Sequence, residues 1–316
     1  MKELHVVFGA SGPVGFALVR QLADAGVPVR AVVREDEIAR SAFPAHAEVF
    51  FCDPIHRRRA IEAAEGATVV YRCITVSFSQ WAELWLPITE NIVKAAEEAG
   101  ARLVSPGTVY VYGPPQRQPV TEDHPLAAVG PMGKVRIATQ SMLCKAHRSG
   151  VVKVVIPRFP DLFGPRVLTR FHGGLFRRAS TGEPVRWYGR LDIPRSLLFV
   201  EDAARACIEL GRREEAYGRV WHVPGPAPLT PRALIDMVYE TAGLRPRIRR
   251  VSTLGLRLEG IFDPDMRSFY EFRYRFEQPQ IMDGTRFAIE FPEFQFTPYE
   301  EAVRITLDWF KEHSLS

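Results

Sequence analysis

The sequence predicts an α/β fold: a doubly wound parallel sheet in the first half, followed by a smaller C-terminal lobe. Three observations carry that prediction. Short β-branched runs alternate with helical stretches at the spacing of right-handed βαβ crossovers. Several of these runs are almost continuously apolar, as strands are when helices cover both faces of the sheet. Gly26, Gly66, Gly100 and Gly150 each follow a helical stretch, where a left-handed residue closes a helix.

Taken in order, Leu4–Phe8, Pro28–Val33, Ala47–Cys52, Thr68–Cys73, Arg102–Ser105 and Val151–Arg158 are expected as strands. Between them Pro13–Ala25, Arg57–Ala64, Gln80–Ala99 and Met132–Arg148 are expected as helices. After about Pro165 the segments shorten, arginine, proline and aromatics increase, and periodicity weakens. Val200–Arg212 still reads as a helix and Val220–Val223 as a strand, and both are expected to return to the first domain. Pro231–Ala242 and Pro298–His313 read as amphipathic helices, the second with an apolar stripe through Ala302, Ile305, Leu307 and Trp309. Met266–Gln278 mixes aromatics with charges and is expected as a half-buried helix of the small lobe. No internal repeat or low-complexity linker interrupts the chain. The expected division is residues 1–165 as a nucleotide-binding domain, joined by 196–224, with 166–195 and 225–316 as the small lobe.

Composition excludes several classes. The 316 residues are 46% hydrophobic, 25% charged and 11% aromatic, which is globular rather than disordered. A net charge of +4 is too dilute for a nucleic-acid footprint, and no apolar run has the length of a membrane helix. MKELHVVFGASG runs straight into a strand, which predicts no signal peptide. Cys52, Cys73, Cys144 and Cys207 lie far apart with no CxxC, so no metal site is expected and a reducing, cytoplasmic compartment is. Six of the 41 basic residues are lysines (Lys2, Lys94, Lys134, Lys145, Lys153 and Lys311), so any motif that requires lysine is easily tested.

HVVFGASGPVGFALVRQL places Gly9, Gly12 and Gly15 directly after the first strand. Gly9 suits a tight turn, Gly12 lets a pyrophosphate approach the backbone, and Gly15 lets the helix pack on the strand. Pro13 falls in the first helical turn, where its missing N–H costs nothing. The helix N-terminus then offers N–H groups and positive dipole to an anion. Dinucleotide binding follows. In PVRAVVRED, Arg34 ends the second strand and favours the 2′-phosphate of NADP; Glu35 and Asp36 would instead serve the ribose hydroxyl of NAD. Asp53, in FFCDP, is placed either to meet the adenine amino group or to form a turn before Pro54.

GASGPVG, FFCDP, VVYRCIT, LVSPGTVYVYGP, TEDHPL, RFPDLFGP and RSLLFVEDAARA follow one another in an order and spacing that resembles the extended short-chain dehydrogenase/reductases, the NAD(P)-dependent sugar epimerases and dehydratases. The resemblance spans nearly the whole chain. It implies a Rossmann domain, a C-terminal substrate lobe, a small-molecule substrate such as a nucleotide sugar, and a homodimer. It implies a cofactor surface of Gly9, Ser11, Gly12, Pro13, Val14, Gly15, Arg34, Asp53, Pro54, Ile74, Thr75, Arg136 and Phe159.

The family's reaction rests on a Ser/Thr, usually an Asn, and a Tyr and Lys in YxxxK. Residues four apart share a helix face, so the ammonium lowers the phenol's pKa and the phenol exchanges a proton with substrate. Here Thr108 takes the Ser/Thr position and Trp85 falls where the Asn would lie, while Met132 takes the Tyr position and Arg136 the Lys position. A thioether is no acid, and a guanidinium hydrogen-bonds a ribose but hardly deprotonates. None of the six lysines has a tyrosine four positions before it. Asp161 matches a substrate-facing polar position and Arg195 a diphosphate-binding arginine; a cap, and an ion pair with Asp192 or Glu201, are the alternatives. The expected function is an atypical NADP(H)-dependent oxidoreductase. A cofactor-binding redox sensor with little catalysis, and a nucleotide-sugar epimerase or dehydratase, are the competing readings.

Overall fold

The computed structural model describes residues 3–34, 42–76, 80–251, 255, 257, 258, 261 and 274–313. Glu35, Asp36 and residues 266–273 of the expected aromatic-rich helix lie outside the described residues. In chain order the strands are β1 (Leu4–Phe8), β2 (Val29–Val33), β3 (Glu48–Phe51), β4 (Ala67–Arg72), β5 (Arg102–Val104), β6 (Gly107–Thr108), β7 (Val154–Phe159), β8 (Asp161–Phe163), β9 (Val185–Tyr188), β10 (Leu197–Phe199), β11 (Val220–His222) and β12 (Ile248–Val251). The helices are α1 (Pro13–Asp24), α2 (Arg57–Ala64), α3 (Trp81–Glu98), α4 (Gly130–Arg148), α5 (His172–Ser180), α6 (Val200–Arg212), α7 (Pro231–Thr241), α8 (Thr285–Glu290) and α9 (Tyr299–His313).

The chain forms two compact units: residues 1–111, 131–158 and 203–221, and residues 112–130, 159–202 and 222–316. The first holds a sheet in the order β11-β7-β5-β4-β1-β2-β3, with β6 paired to β7. β1 pairs in parallel with both β2 and β4, β2 with β3, β4 with β5, and β5 with β7. From β1 the chain steps outward through β2 and β3, then returns to place β4 on the other flank of β1. That reversal is a topological switch point, and the carboxyl ends of β1 and β4 border it. Phe8 lies in register with Arg72 there.

The apolar runs become strands because both of their faces are covered. Val6, Val7 and Phe8 are fully buried, as are Val69, Val70 and Tyr71 in β4. α1 buries Gly15, Ala17, Leu18, Val19, Leu22 and Ala23, the stripe its 3.6-residue period predicts. The last strand of the expected set starts later than its sequence suggests: β7 begins at Val154 and continues to Phe159. Gly150 ends the preceding helix in a left-handed conformation (φ 74°), and residues 151 and 152 complete that turn.

In the second unit, β8 pairs in parallel with β10 and β9 with β12. Its core is aromatic. Phe163 stacks on Phe176 at 6.0 Å between ring centroids and meets Phe199 and Tyr299 at 5.6 and 6.1 Å. Tyr274–Phe276, the described remainder of the aromatic-rich segment, forms a single 3-10 turn. Among the described residues, no helix is long and apolar enough to cross a membrane.

Candidate active site

The glycine turn sits at the switch point. Gly9 has φ +79°, and its N–H and that of Ala10 both donate to Val32 O at 3.2 Å. A Cβ on Gly9 would lie 2.8 Å from the Cys73 carbonyl, and one on Gly15 would lie 2.2 Å from Gly9 O. The protein's own backbone therefore demands glycine at both positions. Gly12 differs: its Cβ would meet nothing closer than Gly9 O, at 3.3 Å. A Cβ there is tight but needs only a few tenths of an ångström of give, far less than at Gly9 or Gly15, so Gly12 is the part of the turn whose bare backbone a ligand can approach. Gly12 is the N-cap of α1, makes no side-chain cap, and is followed by Pro13 with no acidic residue in the first turn. Ser11 is exposed beside it, and Val14 is half-buried. The first-turn N–H groups and helix dipole fit a pyrophosphate.

Arg34 stands exposed immediately beyond β2. Asp53 Oδ1 accepts the Ile55 N–H at 3.0 Å, so this carboxylate closes a turn as one of its two sequence readings expects. Asn91, which sequence reasoning missed, pins that turn by donating to Pro54 O (3.0 Å) and Ile55 O (2.8 Å). After β4, Ile74 is half-buried against the Gly9 turn and Thr75 is exposed. Phe159 is buried at the end of β7.

Thr108 and Arg136 come together. Arg136 Nη1 donates to Thr108 Oγ1 at 2.8 Å, joining α4 to β6. Aromatic rings cage the guanidinium: Trp81 at 4.1 Å, Tyr110 at 5.2 Å and Trp85 at 5.4 Å. Trp85, at the position expected for Asn, thus holds Arg136 through its ring face. Met132 lies one turn before Arg136 and is buried. The helix face that carries acid–base chemistry in the resemblance here presents a thioether and a permanent cation.

In the second unit Asp161 and Arg195 also meet, which the sequence alternatives did not anticipate. Arg195 Nη1 lies 3.7 Å from Asp161 Oδ2, whereas Asp192 pairs with Arg190. Asp161 opens β8 rather than capping a helix. Arg275 completes the cluster, donating to Asp161 Oδ2 at 2.9 Å and to Gln280 Oε1 at 2.6 Å. Arg195 and Arg275 are both buried against this one carboxylate. Arg275 gave no local signal, lying 114 residues from its partner.

The sheet order, its switch point and the glycine turn define a dinucleotide-binding Rossmann domain. The chain belongs to the NAD dependent epimerase/dehydratase family, whose model matches residues 5–223. It is 28% identical over 272 residues to a 3-diazoavenalumate denitrifying reductase from a Streptomyces species, covering 81% of this chain and 87% of that one. A 4-hydroxy-2-methyl-3-oxo-4-farnesyl-3,4-dihydroquinoline-1-oxide ketoreductase from Stigmatella aurantiaca is 24% identical over 263 residues, 78% and 75% of the two chains. A solved UDP-glucose 4-epimerase from Thermus thermophilus, in complex with NAD, shares the fold with a TM-score of 0.79 at 19% identity, covering 98% of this chain and 99% of that one.

Proposed function

We propose that the chain is an NADP(H)-dependent reductase of a carbonyl group on a small, sugar-like molecule, working without the Tyr–Lys pair. The observation that carries this reading is the 2.8 Å bond from Arg136 to Thr108. Because the Thr108 oxygen accepts from a cation, its own hydrogen is left to donate to a carbonyl oxygen. Charge-assisted acceptance also strengthens that donation. The nicotinamide, when bound, supplies hydride to the carbonyl carbon. Arg136 orients Thr108 and offers further N–H groups to the ribose, while Gly12, Pro13, Val14 and Ser11 line the pyrophosphate cradle. Arg34 takes the 2′-phosphate, and the second oxygen of Asp53 is left for the adenine amino group. The lobe of residues 166–195 and 225–316 receives the substrate, with Asp161 and Arg195 facing it, and the proton comes from solvent.

NADPH consumption against a panel of ketones, aldehydes and 4-keto nucleotide sugars tests this. Loss of a single carbonyl-polarising donor typically costs about 10²–10³ in rate, so Thr108→Ala should lower kcat by that factor while leaving NADPH affinity within severalfold. Met132, buried and without a titratable proton, favours one competing reading, a cofactor-binding sensor. Tight stoichiometric NADPH binding with no turnover across the panel would establish the sensor instead. Fast, reversible epimerisation of a nucleotide sugar by the unmodified protein would sink both.

A further inference from the structure

A cavity of about 30 Å³ lies within the first unit, lined among others by Arg72, Trp85, Ser105, Thr108, Arg136 and Arg158. That volume holds about two waters or one small ion. Three guanidinium-bearing side chains line it, and none of its lining residues is acidic. Arg72 and Arg158 are 4% and 1% exposed. Buried charges are ordinarily paired, because desolvating an isolated one is costly. Arg72 meets the Trp85 ring at 5.0 Å, and among the described residues no carboxylate pairs with it. Burial pushes its pKa down to about 10, so it keeps its charge at neutral pH.

Hydrogen bonding points the same way. Arg72 Nε, Trp85 Nε1 and Ser105 Oγ are buried without a hydrogen-bond partner, and all three residues line this cavity. The first two are donors only. A water there must in turn find acceptors for its own hydrogens, whereas an anion accepts from every side and offsets the charge. The two central arginines stand in strands, Arg72 ending β4 and Arg158 inside β7, so the sheet fixes their positions.

We propose that this cavity is a binding site for a small anion, a halide or a carboxylate of formate size, held by Arg72 and Ser105 with Arg158 and Arg136 around it. The site borders Thr108 and Arg136 of the proposed reductase centre, but the donors that hold the anion, Arg72 and Ser105, have no part in that reading, so either can fail without the other. The test is thermal unfolding of the intact protein in sodium formate or chloride, at ionic strength held constant with sodium HEPES. The expected result is a saturable rise in Tm for the wild type. A charge-assisted contact is worth roughly ten- to a hundredfold in affinity, so Arg72→Met should lose the response by that factor, with no loss of Tm in the absence of anion. If Arg72→Met does not fold, Ser105→Ala should weaken formate binding severalfold, and a bromide-soaked crystal should show an anomalous peak in the cavity. Benzoate separates the sources: a response to formate alone marks a free ion, and an equal response to benzoate marks a carboxylate carried on an organic molecule. No saturable shift with any of these anions, or a wild-type response from Arg72→Met, would overturn the site.

Discussion

Arg34 and Arg136 show how much of the candidate site rests on single guanidiniums. Arg34 is exposed at the end of β2, so its removal should leave the fold intact and act on the 2′-phosphate alone. Such a contact contributes about 1.5–3 kcal/mol. Arg34→Ala should therefore cut the NADPH-over-NADH preference by roughly ten- to a hundredfold in fluorescence titrations. Equal binding of both cofactors by the wild type would mean that the preference is misassigned. For Arg136 the natural comparison is lysine. Arg136→Lys keeps the charge but surrenders the flat face that stacks on Trp81 at 4.1 Å. It should weaken both NADPH affinity and turnover, measured side by side, and unchanged kinetics would show that the cage is incidental.

At the scale of elements, α1 and its turn separate glycines needed for folding from a glycine open to ligand. Gly12→Val should abolish NADPH binding while disturbing secondary structure by circular dichroism far less than Gly15→Val does, because its Cβ meets Gly9 O at 3.3 Å, a tight contact that a small shift relieves. Gly15→Val should unfold the turn itself, since Gly9 O would lie 2.2 Å from the new Cβ. Retained micromolar affinity in Gly12→Val would remove the pyrophosphate from this turn. These glycines were legible in the sequence because strand, turn and helix chemistry agree over one short stretch. So were β1, β2, β4 and α1–α4, whose apolar periods extend over several turns or a whole strand. β8, β9, β10 and β12 were not: each has three or four residues, too few for a period, in a stretch rich in Arg and Pro. Arg72 and Arg158 show in the sequence only as a guanidinium inside otherwise apolar runs. The Asp161–Arg275 pair left none, since only tertiary folding joins residues so distant in sequence.

For the molecule as a whole, acid stability should be set by two buried histidines, one in each unit. His5 in β1 hydrogen-bonds the Tyr71 hydroxyl at 3.0 Å, and burial pulls its pKa down from 6.5 to about 4. His172 in α5 is likewise pulled down to about 4, chiefly by burial, with Arg195 and Arg275 adding to the effect against Asp161. Both are neutral when folded, so their contribution is complete above pH 6.5 and is lost as pH falls towards 4. Each amounts to about 3 kcal/mol. Unfolding midpoints should fall steeply across that window, and His5→Gln or His172→Gln should each flatten the slope; a flat wild-type profile would count against both shifts. The interleaving of the two units has a further consequence, for synthesis on the ribosome. β11 flanks β7 but follows it by about 60 residues, which take on the order of 3–12 s to translate. Throughout that interval the nascent chain carries a largely apolar strand with one flank bare, an edge that invites pairing with a neighbouring chain. The yield of native protein should therefore depend on how quickly translation proceeds from Phe159 to His222, and on whether a chaperone covers β7 in the meantime.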